Sequence, residues 1–372
     1  MTINSTQHLV LIGGGHGHLA VLEAMRQHPL PAQVTLVTPD PMLTYSGLLP
    51  AYLAGHVSLS QCQIAVADYA RAAGVTVIID RLVALDAEQQ QCQLASGNTL
   101  RYDWLSLDTG SVTANLPGAT EVAVLPVRPL DGLLTSRTAK RVIVVGGGAG
   151  GVELAFAYAH SGATVSLISG AELMPGHHRR VAKTTAYWLK QRGIRAYSAR
   201  AQLSTRGVTL HLTADLQTGM PNGPRTELEA DLVIVATGAS APEWIKHSDL
   251  RRSPQGFVAV NDTLQSQSHP TVFAIGDVSA APHPAITRAG VHAVMAGPVL
   301  AKNLRQALTR RATTRWQLMP YRPKRVSLFL LATGPEHAIL SWGPIVLNGR
   351  WLWWLKRFID TRFVERYRLS AL

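Results

Sequence analysis

Two stretches of the chain share one pattern of apolar and glycine positions. HLVLIGGGHGHLAVL (8–22) and RVIVVGGGAGGVELA (141–155) each place a short β-branched run before a glycine-rich turn and a helical pattern. A second apolar run follows each of them, VTLVT (34–38) and TVSLIS (164–169). This order is typical of a βαβ dinucleotide-binding unit with parallel strands. The sequence therefore predicts two such folds, each with its own parallel sheet.

Three further strand-and-turn patterns fit the same plan. YDWLSLDTGS (102–111) and DLVIVATGAS (231–240) are near-copies, each an apolar strand that ends in Thr-Gly, and TVFAIGDVS (271–279) is a third strand followed by a turn. The proline- and glycine-rich residues 112–140 are expected to form a linker. Residues 201–230, which contain the turn MPNGP, are expected to form a β-meander.

The last segment, GRWLWWLKRFIDTRFVERYR (349–368), predicts an amphipathic helix, preceded by a hairpin at 321–343. An aromatic and basic helix of this kind suits the headgroup region of an anionic membrane. The alternative is a core or dimer helix whose aromatic side chains are covered by protein. The apolar face comprises Trp351, Trp354, Leu355, Phe358 and Ile359 and continues towards Phe363, and the charged residues are Lys356, Arg357, Arg362, Glu365 and Arg366.

Composition narrows the class of protein. With 372 residues, 47% hydrophobic and 16% charged, the chain has room for two or three well-cored domains. Its net charge of +12 favours nucleotides, nucleic acid or an anionic membrane as partners. The lysines and arginines are scattered, which argues against nucleic acid. No apolar run reaches the ~18 residues of a spanning helix, and the first residues lack the basic region of a signal peptide. We expect a cytoplasmic protein that is soluble or peripheral on the inner face of the membrane.

The cysteines and histidines argue against two kinds of site. Cys62 and Cys92 are too far apart in the sequence for a CxxC pair or a zinc knuckle, and so few cysteines point to a reducing compartment. His16 and His18 have no acidic or cysteine partner nearby in the sequence. The sequence therefore predicts neither a metal site nor a redox disulfide.

The first glycine turn departs from the usual GxGxxG pattern at one position. Gly13 and Gly15 fill the first two positions, which allow a tight turn and a close approach to a diphosphate at the helix N terminus. His18 replaces the third glycine. The second strand ends in Thr38, with Asp40 two residues later, and either side chain is a candidate for a ribose contact.

The second glycine turn is complete. Gly146, Gly148 and Gly151 fill all three positions of the pattern, and Glu153 follows within the helix. Ser169 ends the next strand, where a carboxylate would favour NADH. The sequence therefore leaves the choice between NADH and NADPH open.

Together these motifs resemble the FAD-dependent pyridine nucleotide–disulfide oxidoreductase superfamily over nearly the whole chain. Within it, GGGHGHLAVL, TYSGLLPAYLAGH, TRAGVHAVMAGPVLAKNL and WLWWLKRFIDTRF resemble an NADH dehydrogenase-like group that also occurs fused to selenophosphate synthetase. That group is related to the type II NADH dehydrogenases. The resemblance implies an α/β, glutathione-reductase-like fold with two Rossmann-like domains. It assigns residues 1–112 and 242–308 to a discontinuous FAD-binding domain, 113–241 to an inserted NAD(P)-binding domain and 309–372 to a C-terminal cap.

The resemblance also implies FAD and either NADH or NADPH as cofactors. Because these cofactors carry out hydride transfer themselves, no catalytic side chain is predicted. The helix at 287–304 is expected to point its N terminus at the flavin, with Arg288 adding positive charge. The implied FAD residues are Gly13, Gly14, Gly15, His16, Thr38, Asp40, Leu82, Thr109, Gly110, Asp277, Ala289, Gly290 and Val291. The implied NAD(P)H residues are Gly146, Gly148, Ala149, Gly150, Gly151, Glu153, Ser169, Thr237 and Gly238. The flavin-lining candidates are Tyr45, Ser46, Gly47, Leu48, Leu49, Pro50 and Arg288.

The electron acceptor is inferred from TYSGLLPAYLAGH (44–56). In the disulfide reductases this region carries a CxxC pair beside the flavin, whereas here it has no cysteine. Reducing equivalents are therefore expected to leave the flavin directly, and a wall of Leu48, Leu49 and Tyr52 suits a flat, lipophilic acceptor. We predict an NAD(P)H dehydrogenase that reduces a quinone-like acceptor at an anionic membrane surface bound through residues 349–368. The alternatives are a soluble reductase of a selenium or sulfur species and a slow-turnover redox sensor, and a homodimer is left open.

Overall fold

The computed structural model of the chain describes residues 7–215, 226–282, 290–309, 318–324 and 326–369, with the side chains of 211–215 left out. Three short 3-10 helices lie at Asp131–Thr135, Glu243–His247 and Gly276–Val278. The α-helices of the described residues are α1 (His16–Gln27), α2 (Leu49–Leu53), α3 (Leu59–Cys62), α4 (Val66–Ala72), α5 (Ala149–His160), α6 (Arg179–Gln191), α7 (Gly290–Leu308) and α8 (Arg350–Arg366).

The strands of the first half of the chain are β1 (His8–Ile12), β2 (Gln33–Thr38), β3 (Leu43–Thr44), β4 (Gln63–Ile64), β5 (Thr76–Ile79), β6 (Leu82–Asp86), β7 (Gln91–Leu94), β8 (Thr99–Arg101), β9 (Trp104–Leu107), β10 (Val112–Thr113), β11 (Ala123–Pro126), β12 (Arg141–Val145) and β13 (Thr164–Ile168). Those of the second half are β14 (Arg195–Ser204), β15 (Gly207–Asp215), β16 (Thr226–Glu229), β17 (Leu232–Val235), β18 (Ala239–Ser240), β19 (Val258–Ala259), β20 (Val272–Ala274), β21 (Ser279–Ala280), β22 (Phe329–Ala332), β23 (Ala338–Trp342) and β24 (Ile345–Gly349).

The first fold is built on a parallel sheet of five strands in the order β20-β9-β1-β2-β5. At its centre, Leu9 of β1 is paired with Val34 of β2 and Trp104 of β9. The apolar residues of β1 are buried on both faces of the sheet, as expected for a parallel sheet covered on both sides. A three-stranded meander, β6-β7-β8, is attached to this fold.

The second fold is a sheet of seven strands in the order β11-β17-β12-β13-β14-β15-β16. Its first five strands are parallel, and β14, β15 and β16 form an antiparallel meander, which agrees with the pattern at 201–230. The expectation that 112–140 is only a linker was wrong, because β11 is an edge strand of this sheet. An edge position tolerates Pro126, since one side of the strand needs no N–H donor.

The C-terminal region forms a small cap of three antiparallel strands and α8. The predicted hairpin is β22 and β23, and the pattern did not identify the third strand, β24. Leu352 and Trp353 of α8 pack on Ala338 and Leu340 of β23. The cap therefore has a core of its own and presents the rest of α8 to the two larger folds and to solvent.

The α/β class with two Rossmann-like sheets is confirmed. The strands that each sheet takes from the chain support the division near residues 113 and 241, and the bounds of the domains stay a prediction. The short pair β10-β18 lies at this division and joins the outgoing and returning chain.

Candidate functional site

The first glycine turn joins β1 to α1 at the carboxyl end of the first sheet. Gly13 has a φ of +94°, a left-handed conformation that favours glycine. A Cβ on Gly13 would lie 2.3 Å from the carbonyl oxygen of Asp108. Gly14 follows, and Gly15 is the N-cap of α1. The turn therefore brings bare backbone to the N terminus of a helix, which is the arrangement that binds a dinucleotide diphosphate.

Asp108 is a functional candidate that the sequence analysis did not identify. Its carboxylate accepts hydrogen bonds from the backbone N–H groups of Gly17 at 2.8 Å and His18 at 3.0 Å. The residue is 5% exposed, and burial raises the pKa of its carboxyl to about 6. The near-copies LDTG and VATG contain the signal that could have found it, because Asp108 stands where the second copy has Ala236.

His18, at the position of the third glycine, is fully buried. Its Nδ1 lies 2.6 Å from the carbonyl oxygen of Gly13 and its Nε2 lies 2.8 Å from Oγ of Ser106. Burial lowers the pKa of the His18 ring to about 4. The close contact that a third glycine usually makes is shifted to Gly17, where a Cβ would lie 2.7 Å from Ile275. His18 is therefore a neutral core residue that braces the turn.

The candidates that follow the second strand are already engaged in local contacts. The Thr38 hydroxyl donates to the carbonyl oxygen of Asp40 at 3.0 Å, and the Asp40 carboxylate accepts from the N–H of Met42 at 2.7 Å. Thr38 is buried, whereas Asp40 is exposed. Leu82, at the start of β6, has its side chain in the core. Only its backbone is left to contact a nucleotide.

Thr109 and Gly110 follow β9 at the same edge of the sheet. The Thr109 hydroxyl is buried and has no hydrogen-bond partner among the described residues. Leaving a buried hydroxyl without a hydrogen-bond partner costs free energy, and a bound cofactor would supply that partner. The Asp277 carboxylate lies 3.3 Å from Nη2 of Arg128 and 3.3 Å from Oγ of Ser111. Arg128 was missed because it lies in the region expected to be a linker.

The segment that leads into α7 lies only partly within the described residues. Gly290 and Val291 are its first residues, and Nδ1 of His292 is buried without a partner among the described residues. Arg288 and Ala289 lie outside the described residues. Their roles at the flavin stay predictions. The glycine turn and the two unpaired polar atoms, on Thr109 and His292, fit a bound FAD.

The second glycine turn joins β12 to α5 and is more open than the first. Gly146 has a φ of +139°, and a Cβ there would lie 2.1 Å from the carbonyl oxygen of Ala236. A Cβ on Gly151 would lie 2.0 Å from the carbonyl oxygen of Gly146. In contrast, no atom lies within 4 Å of a Cβ built on Gly148 or Gly150. The N terminus of α5 therefore has free space for a diphosphate.

The remaining NAD(P)H candidates border this turn. Ala149 is the first residue of α5. The Ser169 hydroxyl donates to a backbone carbonyl of β14 at 3.1 Å. The Thr237 hydroxyl donates to the carbonyl oxygen of Ala114 at 2.8 Å, and the carbonyl oxygen of Gly238 accepts from the N–H of Ala114 at 3.2 Å. Thr237 and Gly238 thus tie the second fold to the chain that enters it.

The segment predicted to line the flavin is covered by α8. The Tyr45 hydroxyl donates to Oδ1 of Asp360 at 3.0 Å, and its ring stacks on Phe363 with 4.7 Å between centroids. Nζ of Lys356 donates to the carbonyl oxygen of Gly47 at 3.3 Å. A polar and aromatic contact therefore joins this segment to the cap.

Leu48 and Leu49 do not form the open apolar wall that the sequence indicated. Leu48 is 1% exposed in the core of the first fold, and Leu49 is 2% exposed in the core of the second. Pro50 is also buried, and Ser46 is exposed. That expectation was wrong because the two leucines anchor the segment between the folds. Neither side chain is free to contact an acceptor.

Lys356 and Glu153 lie in positions that the sequence did not predict. Lys356 was expected on the charged face of an amphipathic helix, yet its Nζ lies 3.0 Å from Asp360 and 3.5 Å from Glu153, with 12% of its side chain exposed. Glu153, assigned to NAD(P)H, also accepts from the N–H of Ala332 at 2.8 Å. Burial raises the pKa of Glu153. Burial alone would lower the pKa of Lys356, but the two carboxylates outweigh it and raise that pKa overall.

The opposite side of α8 carries most of the predicted aromatic residues, but Phe363 does not continue this face as predicted, because its ring packs inward on Tyr45. Trp351, Trp354 and Phe358 are 56%, 58% and 61% exposed, and Ile359 is exposed beside them. The cap sheet also exposes Trp342, Ile345 and Leu347. These side chains are therefore not covered by the described part of the chain, while the charged Lys356 and Asp360 are turned inward.

Both cysteines are buried and belong to different cores. Cys62 is the last residue of α3, and Cys92 lies in β7. Burial raises the pKa of the Cys62 thiol to about 11 and that of Cys92 to about 12. A thiol with a raised pKa is a poor nucleophile. Among the described residues no cluster of His, Cys, Asp or Glu could hold a metal ion.

Two glycine turns, each at the carboxyl end of a set of parallel strands, define a protein that binds two dinucleotides. The chain belongs to the pyridine nucleotide-disulphide oxidoreductase family, which matches residues 7–303. It is an FAD- and NAD(P)H-dependent oxidoreductase. No helix of the described residues is long and apolar enough to cross a membrane.

Known relatives share the fold at low identity. The epsilon subunit of NADH-dependent phenylglyoxylate dehydrogenase from Aromatoleum evansii is 30% identical over 275 residues, which are 71% of this chain and 63% of that subunit. The chain thus spans less than two thirds of that relative. NDH2 from Plasmodium falciparum has a TM-score of 0.78 at 15% identity, covering 97% of this chain and 98% of the other. Sulfide:quinone oxidoreductase from Aquifex aeolicus has a TM-score of 0.76 at 16% identity, covering 97% and 91%.

Replacing Lys356 tests the buried ion cluster. We expect Lys356→Met to lower the free energy of unfolding by about 3 kcal/mol near pH 8, because it leaves the carboxylates of Glu153 and Asp360 buried without a cation. Unpaired buried carboxylates have raised pKa values, so the loss should shrink as the pH falls and they take up protons. Denaturant unfolding at two pH values measures this, with the exposed Arg362→Met as the control. A loss equal to that of the control, or independent of pH, would contradict the assignment.

Proposed function

We propose that the protein passes electrons from NAD(P)H through FAD to a quinone-like acceptor at a membrane surface, without a redox disulfide. It would act on the cytoplasmic side as a peripheral enzyme similar to the type II NADH dehydrogenases. The observation that carries this proposal is the position of α8. Its inner side contacts the segment predicted to line the flavin, and its outer side exposes tryptophan and phenylalanine.

The absence of a disulfide relay supports direct transfer to the acceptor. Tyr45 and Gly47 occupy the region where disulfide reductases carry cysteines, and Cys62 and Cys92 are buried in separate cores. FAD, when bound, takes a hydride from NAD(P)H and can pass the two electrons on. In the absence of a protein dithiol, the electron acceptor must reach the flavin itself.

The buried ion cluster supports an acceptor that takes up protons. A quinone that becomes a quinol needs two protons as well as two electrons. Glu153, Lys356 and Asp360 form a buried ion cluster next to Gly47, and the Tyr45 hydroxyl donates to the same cluster. Burial raises the pKa of the Glu153 carboxyl, so Glu153 is the group of the cluster that can carry a proton near the segment from which an acceptor would take electrons.

The exposed aromatic side of α8 supports a membrane surface. Tryptophan and phenylalanine lower their free energy in the headgroup region, and the exposed Arg362 suits anionic lipid. The net charge of +12 also favours binding to an anionic surface. The two solved structures named above, an NDH2 and a sulfide:quinone oxidoreductase, share the fold over nearly the whole chain. The name of the sulfide:quinone oxidoreductase agrees with a quinone acceptor.

Flavin oxidation and reduction test the acceptor. We expect NADH or NADPH to bleach the bound flavin under anaerobic stopped flow, and a short-chain quinone to reoxidise it at least about tenfold faster than a disulfide such as oxidised glutathione. Cys62→Ala/Cys92→Ala should be reoxidised at the wild-type rate, because neither thiol takes part. Faster reoxidation by a disulfide or by selenite would favour the soluble reductase instead. Failure of both nucleotides to bleach the flavin would exclude a dehydrogenase.

Vesicle binding tests the surface. We expect the holoprotein to cosediment with vesicles that contain phosphatidylglycerol and to bind neutral phosphatidylcholine vesicles less well. The double variant Trp354→Ser/Phe358→Ser should weaken binding at least about tenfold. Each replaced side chain no longer buries apolar surface in the membrane, which contributes more than about 1 kcal/mol to binding. Tyr187→Ser, at an exposed aromatic residue on α6, is the matched control. If the wild type, the double variant and the Tyr187→Ser control bound the vesicles equally well, α8 would not be the membrane contact.

A further inference from the structure

The two glycine turns have the same backbone design. In each, the first glycine donates its N–H to the second strand of the fold, and the residue after the neighbouring strand donates its N–H to the end of the first strand. Residue 108 in the first turn therefore corresponds to residue 236 in the second. The matching bonds are Gly13 to Val37 at 2.8 Å and Gly146 to Ile168 at 2.7 Å, and Asp108 to Ile12 at 2.8 Å and Ala236 to Val145 at 2.7 Å.

The turns differ in what fills the space at the helix N terminus. In the second turn, a Cβ on Gly148 or Gly150 would meet no atom within 4 Å. In the first, a Cβ on Gly15 would lie 2.5 Å from Oδ2 of Asp108, and one on Gly17 would lie 3.1 Å from the same oxygen. The Asp108 carboxyl thus occupies the space that the glycines of the FAD turn leave open.

The same carboxyl uses two of the N–H donors that the N terminus of α1 offers to an anion. The N–H groups of Gly17 and His18 belong to the first turn of α1 and have no partner within the helix. With the helix dipole they attract one anion. A carboxylate and a diphosphate cannot both hold these donors, and their like charges repel each other at this distance.

We propose that the carboxylate of Asp108 and the diphosphate of FAD compete for the N terminus of α1, so that FAD binding is coupled to the uptake of one proton by Asp108. The holoprotein then loses affinity for FAD as the pH rises. This inference rests on FAD as the cofactor and does not depend on the identity of the electron acceptor.

The groups around Asp108 determine the pH range in which FAD binding takes up a proton. Burial raises the pKa of Asp108 to about 6, and the carboxylate of Asp277 adds to this, while the N–H bonds to α1 and the ring of His16 oppose it. Burial lowers the pKa of His16, so its ring loses this opposing positive charge as the pH rises through this range, and Arg128 is paired with Asp277. The His18 ring is bonded to Gly13 and Ser106. A bound diphosphate would raise the pKa of Asp108 further, and between the two values binding takes up one proton.

The test measures FAD release and does not use turnover. Holoprotein is diluted at pH values from about 5.5 to 8.5, and free flavin fluorescence gives the dissociation constant. For the wild type it should rise with pH above about 6, approaching tenfold per pH unit. Asp108→Asn should bind FAD at least about tenfold more tightly at pH 8, with little dependence on pH. Asp68→Asn, which removes an exposed carboxylate on α4, should behave like the wild type.

A second variant separates competition from misfolding. Asp108→Ala removes the internal partner of the Gly17 and His18 N–H groups, so its flavin-free form should melt at a lower temperature. FAD should then raise its melting temperature by more than it raises that of the wild type. Weaker FAD binding by Asp108→Asn, a slope equal to that of the wild type, or a smaller FAD-induced shift in Asp108→Ala would each overturn the proposal.

Discussion

The buried contact of Lys356 with Glu153 and Asp360 joins three parts of the molecule. Glu153 belongs to α5 of the second fold, Lys356 and Asp360 belong to α8 of the cap, and Lys356 also reaches Gly47 of the first fold. A single buried charge without its partner costs several kcal/mol. The cap can therefore dock in only one position, and that position determines what covers the flavin-lining segment and what is left to face solvent.

This constraint explains why α8 buries charged residues together with apolar ones and exposes aromatic rings on its other side. A surface helix usually buries its apolar side and exposes its charges. Here the charged residues Lys356 and Asp360 are directed into the protein, and Trp354 and Phe358 are directed outward. Such exposure is unfavourable in water and favourable at a lipid surface. The ion cluster and the exposed aromatic residues thus lie on opposite sides of one helix, and the proposed membrane contact involves only the aromatic side.

The sequence predicted what local patterns can determine. The strands, the glycine turns and the aromatic side of α8 follow from periodicities within about 20 residues. It did not predict the burial of Lys356, because the two carboxylates that stabilise its charge are not next to it in the sequence. Glu153 lies on the distant helix α5, and Asp360 lies one turn further along α8. Asp108 was missed for a related reason, since its partners lie on α1. Leu48 and Leu49 were misassigned because apolar residues look alike whether they face a ligand or a core.

The central claim is that the acceptor reaches the flavin beside residues 45–50, next to their contact with α8, and the structure of the holoprotein with a short-chain quinone tests it most directly. The account predicts the quinone ring beside residues 45–50 at the margin of α8, with Lys356 still paired with Asp360 and in contact with Gly47, and Trp354 directed away from the protein. A quinone bound on the far side of the second fold, or a cap displaced from residues 45–50 in the holoprotein, would contradict it.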